Sequence, residues 1–101
     1  MAQIKYSAAA LSNLERIANF LMLESEQAAL QALDLIEDAI TMLARHPLVG
    51  RPVEHHLREL VISQGRTGYI ALYAYDSLQD TILVLAIRHQ RQAGFRYNPA
   101  P

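Results

Sequence analysis

Cysteine is absent from the 101-residue chain, and several classes of chemistry are excluded with it. No disulfide, thiolate metal site or cysteine nucleophile can form. Long apolar runs are also missing, and none approaches the roughly 20 residues that a membrane-spanning helix needs. The first residues lack the basic and apolar segments of a signal peptide, so we expect a cytoplasmic protein with no membrane partner.

Lysine is scarce as well, since Lys5 is the one lysine among nine basic residues. Arginine forms forked hydrogen bonds to carboxylate or phosphate, so its dominance favours specific anion contacts over diffuse attraction. Residues 1–44 carry two basic and six acidic side chains, whereas residues 45–101 carry seven arginines, four acidic side chains and all four histidines. This division predicts two surfaces of opposite charge. The net charge of −1 is too small for a general nucleic-acid binder.

The first half of the chain predicts a short strand and a helix. The segment QIKY, residues 3–6, alternates polar and apolar side chains, as a strand does. Ser7 then stands where a helix N-cap is needed, because its hydroxyl can accept from a free backbone amide. We expect the first helix from about Ala8 to Leu23, with an apolar face made of Leu11, Leu14, Ile17, Ala18 and Leu21.

A second helix follows a short interruption. Ser25 can cap it, and Glu26 is favourable in its first turn. Pro47 ends it. Its expected outer face carries Asp34, Glu37 and Asp38, and its expected apolar face carries Ala29, Leu33, Ile36, Ile40 and Leu43. Two amphipathic helices with a tight connection predict a helical hairpin.

The second half predicts a loop and three strands. The segment HPLVGRPV has two prolines around a glycine and is expected to be a loop. Strands are expected over Leu57–Ser63, Tyr69–Tyr75 and Thr81–His89, and the short turns between them favour an antiparallel meander. The last run is the most apolar and is expected to be the central or best-covered strand.

These elements predict an α+β fold in the order β-α-α-β-β-β. The helical hairpin should pack on one face of a small, mainly antiparallel curved sheet. Residues 1–98 form one expected domain, and residues 99–101 are expected to be a loose tail. The face of the sheet away from the helices, called the distal face below, is then left partly open. Its residues are the first candidates for function.

The order of these segments resembles the RelE/ParE toxin superfamily of bacterial toxin–antitoxin systems. The resemblance covers nearly the whole chain and is carried by the strand and helical hairpin, then by RHPLVGRPV, LRELVI, YIALYAY and ILVLAIRHQR. It implies one of two activities. RelE-like members cut messenger RNA on the ribosome, whereas ParE-like members share the fold, lack that nuclease set and poison DNA gyrase.

The resemblance also implies a partner. Members of both branches are neutralised by a small cognate antitoxin, whose N-terminal part binds DNA and whose C-terminal segment wraps the toxin. ParE-like members are often called plasmid stabilisation proteins. We expect neither a metal nor another cofactor, because His55 and His56 are adjacent in an extended loop, diverge, and have no evident third ligand.

A basic cluster at the end of the last apolar run supplies most candidate functional residues. The residues to which we assign target binding or catalysis are Arg58, Arg88, His89, Arg91 and Tyr97. Arg51, Arg66 and Phe95 are secondary candidates. Arginines can hold phosphate, a histidine can transfer protons near neutral pH, and a tyrosine can stack on a base. As the rim of an interaction surface, the same residues can instead bind a protein.

Each candidate also has a structural explanation. Arg58 can form an ion pair with Glu54 or Glu59. Arg88 and His89 are adjacent in a strand, so only one of them can lie on the distal face, and Arg88 is the better candidate. Tyr69, Tyr73 and Tyr75 share a strand face and are expected to pack in the sheet with hydrated hydroxyls.

Charge favours the ParE-like branch over the RelE-like one. A protein that docks on the ribosome should be strongly basic, because phosphate contacts dominate such affinity. Tyr97 lies several residues too late to match the C-terminal tyrosine of the nucleases, and their characteristic lysines are missing. The preferred hypothesis is a gyrase inhibitor, with a ribosome-dependent endoribonuclease and a non-toxic antitoxin-binding protein as alternatives.

Overall fold

The computed structural model describes residues 1–64 and 67–90. Within them the chain forms an α+β fold in the predicted order, with one additional short strand. A short turn, Glu54–His56, connects two of the strands. The elements are β1 (Gln3–Tyr6), α1 (Ala8–Met22), α2 (Glu26–Met42), β2 (Arg51–Val53), β3 (Leu57–Gln64), β4 (Thr67–Asp76) and β5 (Thr81–His89).

Both helices begin at the predicted serine caps. The Ser7 hydroxyl accepts from the amide of Ala10 at 3.0 Å, and the Ser25 hydroxyl accepts from the amide of Ala28 at 2.9 Å. Each cap satisfies one of the backbone amides that the first helical turn leaves unpaired. The predicted helix starts are therefore confirmed.

The apolar face of α1 is confirmed at Leu14, Ile17 and Leu21, but its first residue differs from the prediction. Leu11 was expected in the core but is exposed, and Ala10 is fully buried in its place. Leu14, Ile17 and Leu21 continue the stripe from Ala10 at intervals of four, three and four residues and pack against the core. That spacing is the helical repeat, so the stripe starts at the small residue that fits directly against the sheet.

Helix α2 buries nearly the predicted face. Ala29, Ile36 and Ile40 are buried, and Leu43 is buried at the C-cap. Leu33 is only half-buried, because Ala32 takes the closer position. The outer face carries exposed Asp34, Glu37 and Asp38, as the charge pattern predicted.

The sheet is mixed and has the strand order β1-β5-β4-β3-β2. The last four strands form an antiparallel meander, whereas β1 returns to pair in parallel with β5. Strand β4 is the central strand, and residues 68–73 in it are all buried. The prediction that the most apolar run would be central is therefore wrong in position. Strand β5 is interior, with the short β1 beside it.

The loop prediction for HPLVGRPV missed the three-residue strand β2. Arg51, Pro52 and Val53 pair with Glu59, Arg58 and Leu57, respectively, in β3. Proline lacks an amide hydrogen and is tolerated in an edge strand, which is the position that β2 occupies. Local sequence signals favoured a loop, and the pairing depends on a strand later in the chain.

The hydrophobic core lies between the two helices and one face of the sheet. Buried residues on that face include Leu60, Ile62, Tyr69, Ala71, Tyr73, Ile82, Val84 and Ile87. Alternation then assigns Val61, Ile70, Leu72, Ala86 and Arg88 to the distal face. No helix in residues 1–64 or 67–90 is long and apolar enough to span a bilayer.

Candidate functional site

The C-terminal end of β5 places Arg88 on the distal face of the sheet. Arg88 is opposite Ile70, which alternates with the core residues Tyr69 and Ala71. Its side chain is half-buried, and one guanidinium nitrogen lies 3.3 Å from the carbonyl oxygen of His89. Val61, next to Ile70 on the other side, is an exposed apolar neighbour on this face. The surface around Arg88 therefore combines a cation with apolar contact area.

His89 lies on the other face, on the side of the helices. It pairs with Tyr69 across β4, and the two rings meet edge to face with centroids 5.4 Å apart. Such a T-shaped contact is a favourable arrangement of aromatic rings. Burial raises the pKa of the Tyr69 hydroxyl. Arg88 and His89 therefore point to opposite sides of the sheet.

An irregularity in β5 decides which of these two residues faces which way. Leu72 pairs with Ala86, but the next residue, Tyr73, pairs with Val84. Leu85 is therefore an extra residue, which is a β-bulge. Regular alternation from Val84 would have turned Ile87 and His89 to the distal face. The bulge turns them to the helix side instead, and Ile87 joins the core.

Arg58 lies on the helix side as well, opposite Tyr73. One of its guanidinium nitrogens donates to two backbone carbonyls, those of Gly50 at 2.7 Å and Leu48 at 3.0 Å. The expected ion pair of Arg58 with Glu54 or Glu59 is not formed in the described residues. Arg58 instead fixes the segment that leads from α2 into β2.

Tyr73 also fixes the segment between α2 and β2, through its hydroxyl group. Its hydroxyl donates to the carbonyl of Pro47 at 2.8 Å and accepts from the amide of Gly50 at 2.9 Å. The side chain is fully buried, so the expectation of a hydrated hydroxyl is wrong for this tyrosine. Burial raises the pKa of Tyr73, partly offset by the Gly50 amide and the Arg58 charge. A Cβ atom at Gly50 would lie 2.6 Å from the hydroxyl oxygen, which explains the glycine.

Arg51 forms the ion pair that was considered for Arg58. Its guanidinium lies 2.8 Å from a carboxylate oxygen of Glu59, and 63% of its side chain is exposed. The two residues are also cross-strand partners in β2 and β3. Glu59 alternates with Leu60 and therefore belongs to the distal face. Arg51 adds a second cation to that face, already balanced by a carboxylate.

Four of the predicted candidates lie outside the described residues: Arg66, Arg91, Phe95 and Tyr97. Of the described candidates, the structure brings Arg51 and Arg88 to the distal face and Arg58 and His89 to the helix side. No sequence pattern indicated the bulge that sets this division. The loop contacts of Tyr73 and Arg58 were missed as well, since both are made to backbone groups.

Within residues 1–64 and 67–90, no group of three or more histidine or acidic side chains could hold a metal ion. His55 and His56, considered as a metal pair, are exposed and have positive φ angles of 64° and 61°. An open depression of about 530 Å³ lies near Arg45 and Asp80, at the other end of β5 from Arg88. It shares no lining residue with the candidate site.

Comparison with known proteins identifies a family to which the chain is similar. A family model described as the ParE toxin of the type II toxin–antitoxin system, parDE, matches residues 4–94. Toxin RelE3 of Caulobacter vibrioides is 30% identical over 89 residues, which are 88% of this chain and 95% of that protein.

Solved structures show the same fold. The chromosomal ParDE toxin–antitoxin system of P. aeruginosa includes a chain with a TM-score of 0.71 and 24% identity, covering 86% of this chain and 94% of that one. The RelBE2 toxin–antitoxin complex of Mycobacterium tuberculosis gives a TM-score of 0.58 and 23% identity, with 88% and 98% of the two chains covered. Since the family match spans most of the chain and the helical pair lies on a matching sheet, the protein belongs to the family of ParE toxins of type II toxin–antitoxin systems.

Proposed function

We propose that the protein is a ParE-like toxin that acts in the bacterial cytoplasm by binding DNA gyrase, with a cognate antitoxin that neutralises it. The observation that carries the proposal is the match to the ParE toxin family over residues 4–94. The gyrase target comes from the resemblance to ParE-like members. Arg88 and its apolar neighbours on the distal face are the proposed contact surface.

The placement of Arg88 and His89 supports binding over RNA cleavage. Cleavage by an internal 2′-hydroxyl needs a base, an acid and cations around a single phosphate. Arg88 lies on the distal face, whereas His89 packs against Tyr69 on the helix side. Arg58 donates to the carbonyls of Leu48 and Gly50. Within the described residues, His89 and Arg88 thus lie on opposite faces, and Arg58, although on the same face as His89, is bonded to loop carbonyls.

Two assays on the purified full-length chain test the proposal. We expect inhibition of DNA supercoiling by gyrase and no cleavage of ribosome-bound messenger RNA. His89→Gln should leave the inhibition within a few fold, because no proton transfer is involved. Loss of a general acid or base would instead lower a rate by about a hundred- to ten-thousandfold. Arg88→Ala should weaken gyrase inhibition, and a higher protein concentration should restore it.

The RelE-like nuclease is the second candidate, favoured by the 30% identity to toxin RelE3 of Caulobacter vibrioides. Cleavage of ribosome-bound messenger RNA that His89→Gln abolishes would establish it and refute the gyrase proposal. A chain that binds its antitoxin but affects neither gyrase nor messenger RNA would instead be a non-toxic member of the fold.

The antitoxin partner is proposed from the exposed apolar side chains of the helical pair. Phe20 is 67% exposed and Leu23 is 84% exposed, next to each other at the α1–α2 connection. Leu11 and Leu30 are exposed on the same two helices. Apolar surface of this kind marks protein-binding sites, and an amphipathic helix is a common occupant of the groove beside a helix pair.

A matched pair of variants tests this surface. Phe20→Ser together with Leu23→Ser should weaken binding of the purified antitoxin encoded beside the toxin. Leu78→Ser serves as the control, because Leu78 is 96% exposed and belongs to the β4–β5 turn and not to either helix. Equal antitoxin affinity for the double variant and the control would exclude the α1–α2 connection as the binding surface.

A further inference from the structure

The bulge at Leu85 is held by two side chains of the first helix. Strand β1 ends with Tyr6 opposite Val84, so no strand among residues 1–64 and 67–90 lies beside the edge of β5 beyond Val84. There the Ser7 hydroxyl donates to the carbonyl of Leu85 at 3.0 Å. The backbone amide of Ile87 donates to the side-chain oxygen Oδ1 of Asn13 at 3.0 Å.

These two bonds satisfy the carbonyl of Leu85 and the amide of Ile87, the main-chain groups on either side of Ala86. A buried or half-buried backbone group without a partner is costly, so an edge of this kind needs acceptors and donors from elsewhere. Ser7 already has a second task, because it also caps α1 by accepting from Ala10. Asn13 has no helix-capping task, since it lies inside α1 and its side chain reaches out to β5.

The hydrogen bond between the Ile87 amide and Asn13 is specific to the bulged register of β5. With the bulge, Ile87 faces the core and its amide is directed at the edge where Asn13 lies. Without the bulge, alternation from Val84 would turn Ile87 to the distal face and Arg88 to the helix side. The bond from the Ile87 amide to Asn13 is therefore available only when Arg88 lies on the distal face.

We propose that Asn13 is a positioning residue, which selects the bulged register of β5 and thereby presents Arg88 to the target. The functional part of this inference rests on the proposed function of Arg88 in target binding. Asn13 itself lies on the helix side and does not contact the distal face. Its effect on activity passes through the register of β5.

Three variants separate this role from general stabilisation. Asn13→Leu has nearly the same size but accepts no hydrogen bond, whereas Asn13→Asp keeps an acceptor at the same position. Asn19→Leu is the control, because Asn19 lies in the same helix and is exposed. Each is made in the full-length chain and examined by NMR, which reports the register without any target.

The NMR readouts are the ring–ring cross-peak between Tyr69 and His89 and the exchange rate of the Ile87 amide. Both should be the same in the unmodified chain, Asn13→Asp and Asn19→Leu. In Asn13→Leu the cross-peak should weaken or vanish, and the Ile87 amide should exchange at least about fivefold faster, as expected for one lost hydrogen bond. A folded Asn13→Leu protein with an unchanged cross-peak would overturn the assignment.

A variant that does not fold leaves the proposal testable. Asn13→Ala then replaces Asn13→Leu, and the exchange rate of the Ile87 amide in the unmodified chain is a second test. If the Ile87 amide of the unmodified chain exchanges as fast as the amides of the β4–β5 turn, the bond to Asn13 is absent in solution and the proposal fails.

Gyrase inhibition provides the functional arm. Asn13→Leu should reduce inhibition as Arg88→Ala does, and the double variant should be no worse than either, because both changes remove the same contact. Additive losses would show that Asn13 does not act through Arg88. If the unmodified chain leaves gyrase unaffected, the proposed function fails, while the NMR result still decides the register.

Discussion

Replacement of Tyr73 by phenylalanine removes one oxygen atom and two hydrogen bonds from the centre of the sheet. The hydroxyl joins the carbonyl of Pro47 and the amide of Gly50, and the Tyr73 side chain is fully buried. Phenylalanine keeps the ring and its packing. The substitution therefore isolates the contribution of the hydroxyl to the segment between α2 and β2.

The expected cost follows from the amide of Gly50. Gly50 is buried, and its amide would lose its partner. A buried donor or acceptor without a partner costs about 1–3 kcal/mol, and the Pro47 carbonyl loses a partner too. We expect Tyr73→Phe to lower the free energy of unfolding by roughly 2–3 kcal/mol. For a domain of this size that corresponds to a fall in Tm of roughly 10–20 °C.

Thermal and denaturant unfolding, followed by circular dichroism, measure the effect. Tyr75→Phe is the matched control in the same strand, because the Tyr75 hydroxyl donates to Asp80 at the protein surface, where water can replace it. It should change Tm far less. A Tm for Tyr73→Phe within about 2 °C of the unmodified chain would refute the reasoning, because it would mean that water or a rearranged loop satisfies the Gly50 amide at little cost.

Three further predictions concern other parts of the molecule. Arg88→Ala should reduce toxicity in a bacterial growth assay more than His46→Ala, because His46 lies in the loop after α2 and not on the distal face of the sheet; equal toxicity of two folded variants would contradict the assigned surface. Arg58→Gln should lower the free energy of unfolding by about 1–2 kcal/mol, since it weakens two bonds to the loop, while antitoxin binding by the folded protein stays unchanged. The free energy of unfolding should hold up to about pH 10 and fall above it, because burial raises the pKa of Tyr69 and Tyr73 above 10.0. As the pH rises, the unfolded chain therefore loses these protons before the folded chain does. Denaturant titrations across that range should show a shallower decline for Tyr73→Phe.

The helices and the three long strands could be predicted because their signals are local. Ser7 and Ser25 mark the helix starts, and the apolar repeat of α2 predicts its buried face almost residue by residue. The face of α1 was predicted correctly at Leu14, Ile17 and Leu21, but Leu11 was expected in the core where Ala10 lies. When an alanine and a leucine are adjacent, the sequence does not indicate which of them lies closer to the sheet. Ala10 is the buried one, because its small side chain lets the helix approach the sheet more closely.

The bulge in β5 could not be predicted from the sequence, for a different reason. Residues 82–87 are all apolar, so the pattern carries no alternation from which facing could be read. The bulge that sets the side of Arg88 is bonded to Ser7 and Asn13, far away in the chain. The functional assignment of a strand end can therefore depend on a helix that sequence patterns treat as separate.

The loop anchors show the same limit. Arg58 was considered for an ion pair because acidic residues flank it in sequence, whereas its partners are the carbonyls of Leu48 and Gly50. Tyr73 was expected to have a hydrated hydroxyl because it lies in a strand rich in tyrosine. In both cases the partner is a backbone group of a loop, and backbone groups leave no trace in the pattern of side chains.

The parallel pairing of β1 with β5 ties the beginning of the chain to its last described strand. Gln3 lies beside Thr81 and Tyr6 beside Val84, so β1 leaves the ribosome long before its neighbour exists. The bonds of Ser7 to Leu85 and of Ile87 to Asn13 span 78 and 74 residues and must wait equally long. Contacts between such distant segments form late, because the intervening chain must first be closed into a loop. A nascent chain therefore cannot complete this sheet, or set the direction of Arg88, until residues 81–89 have been synthesised.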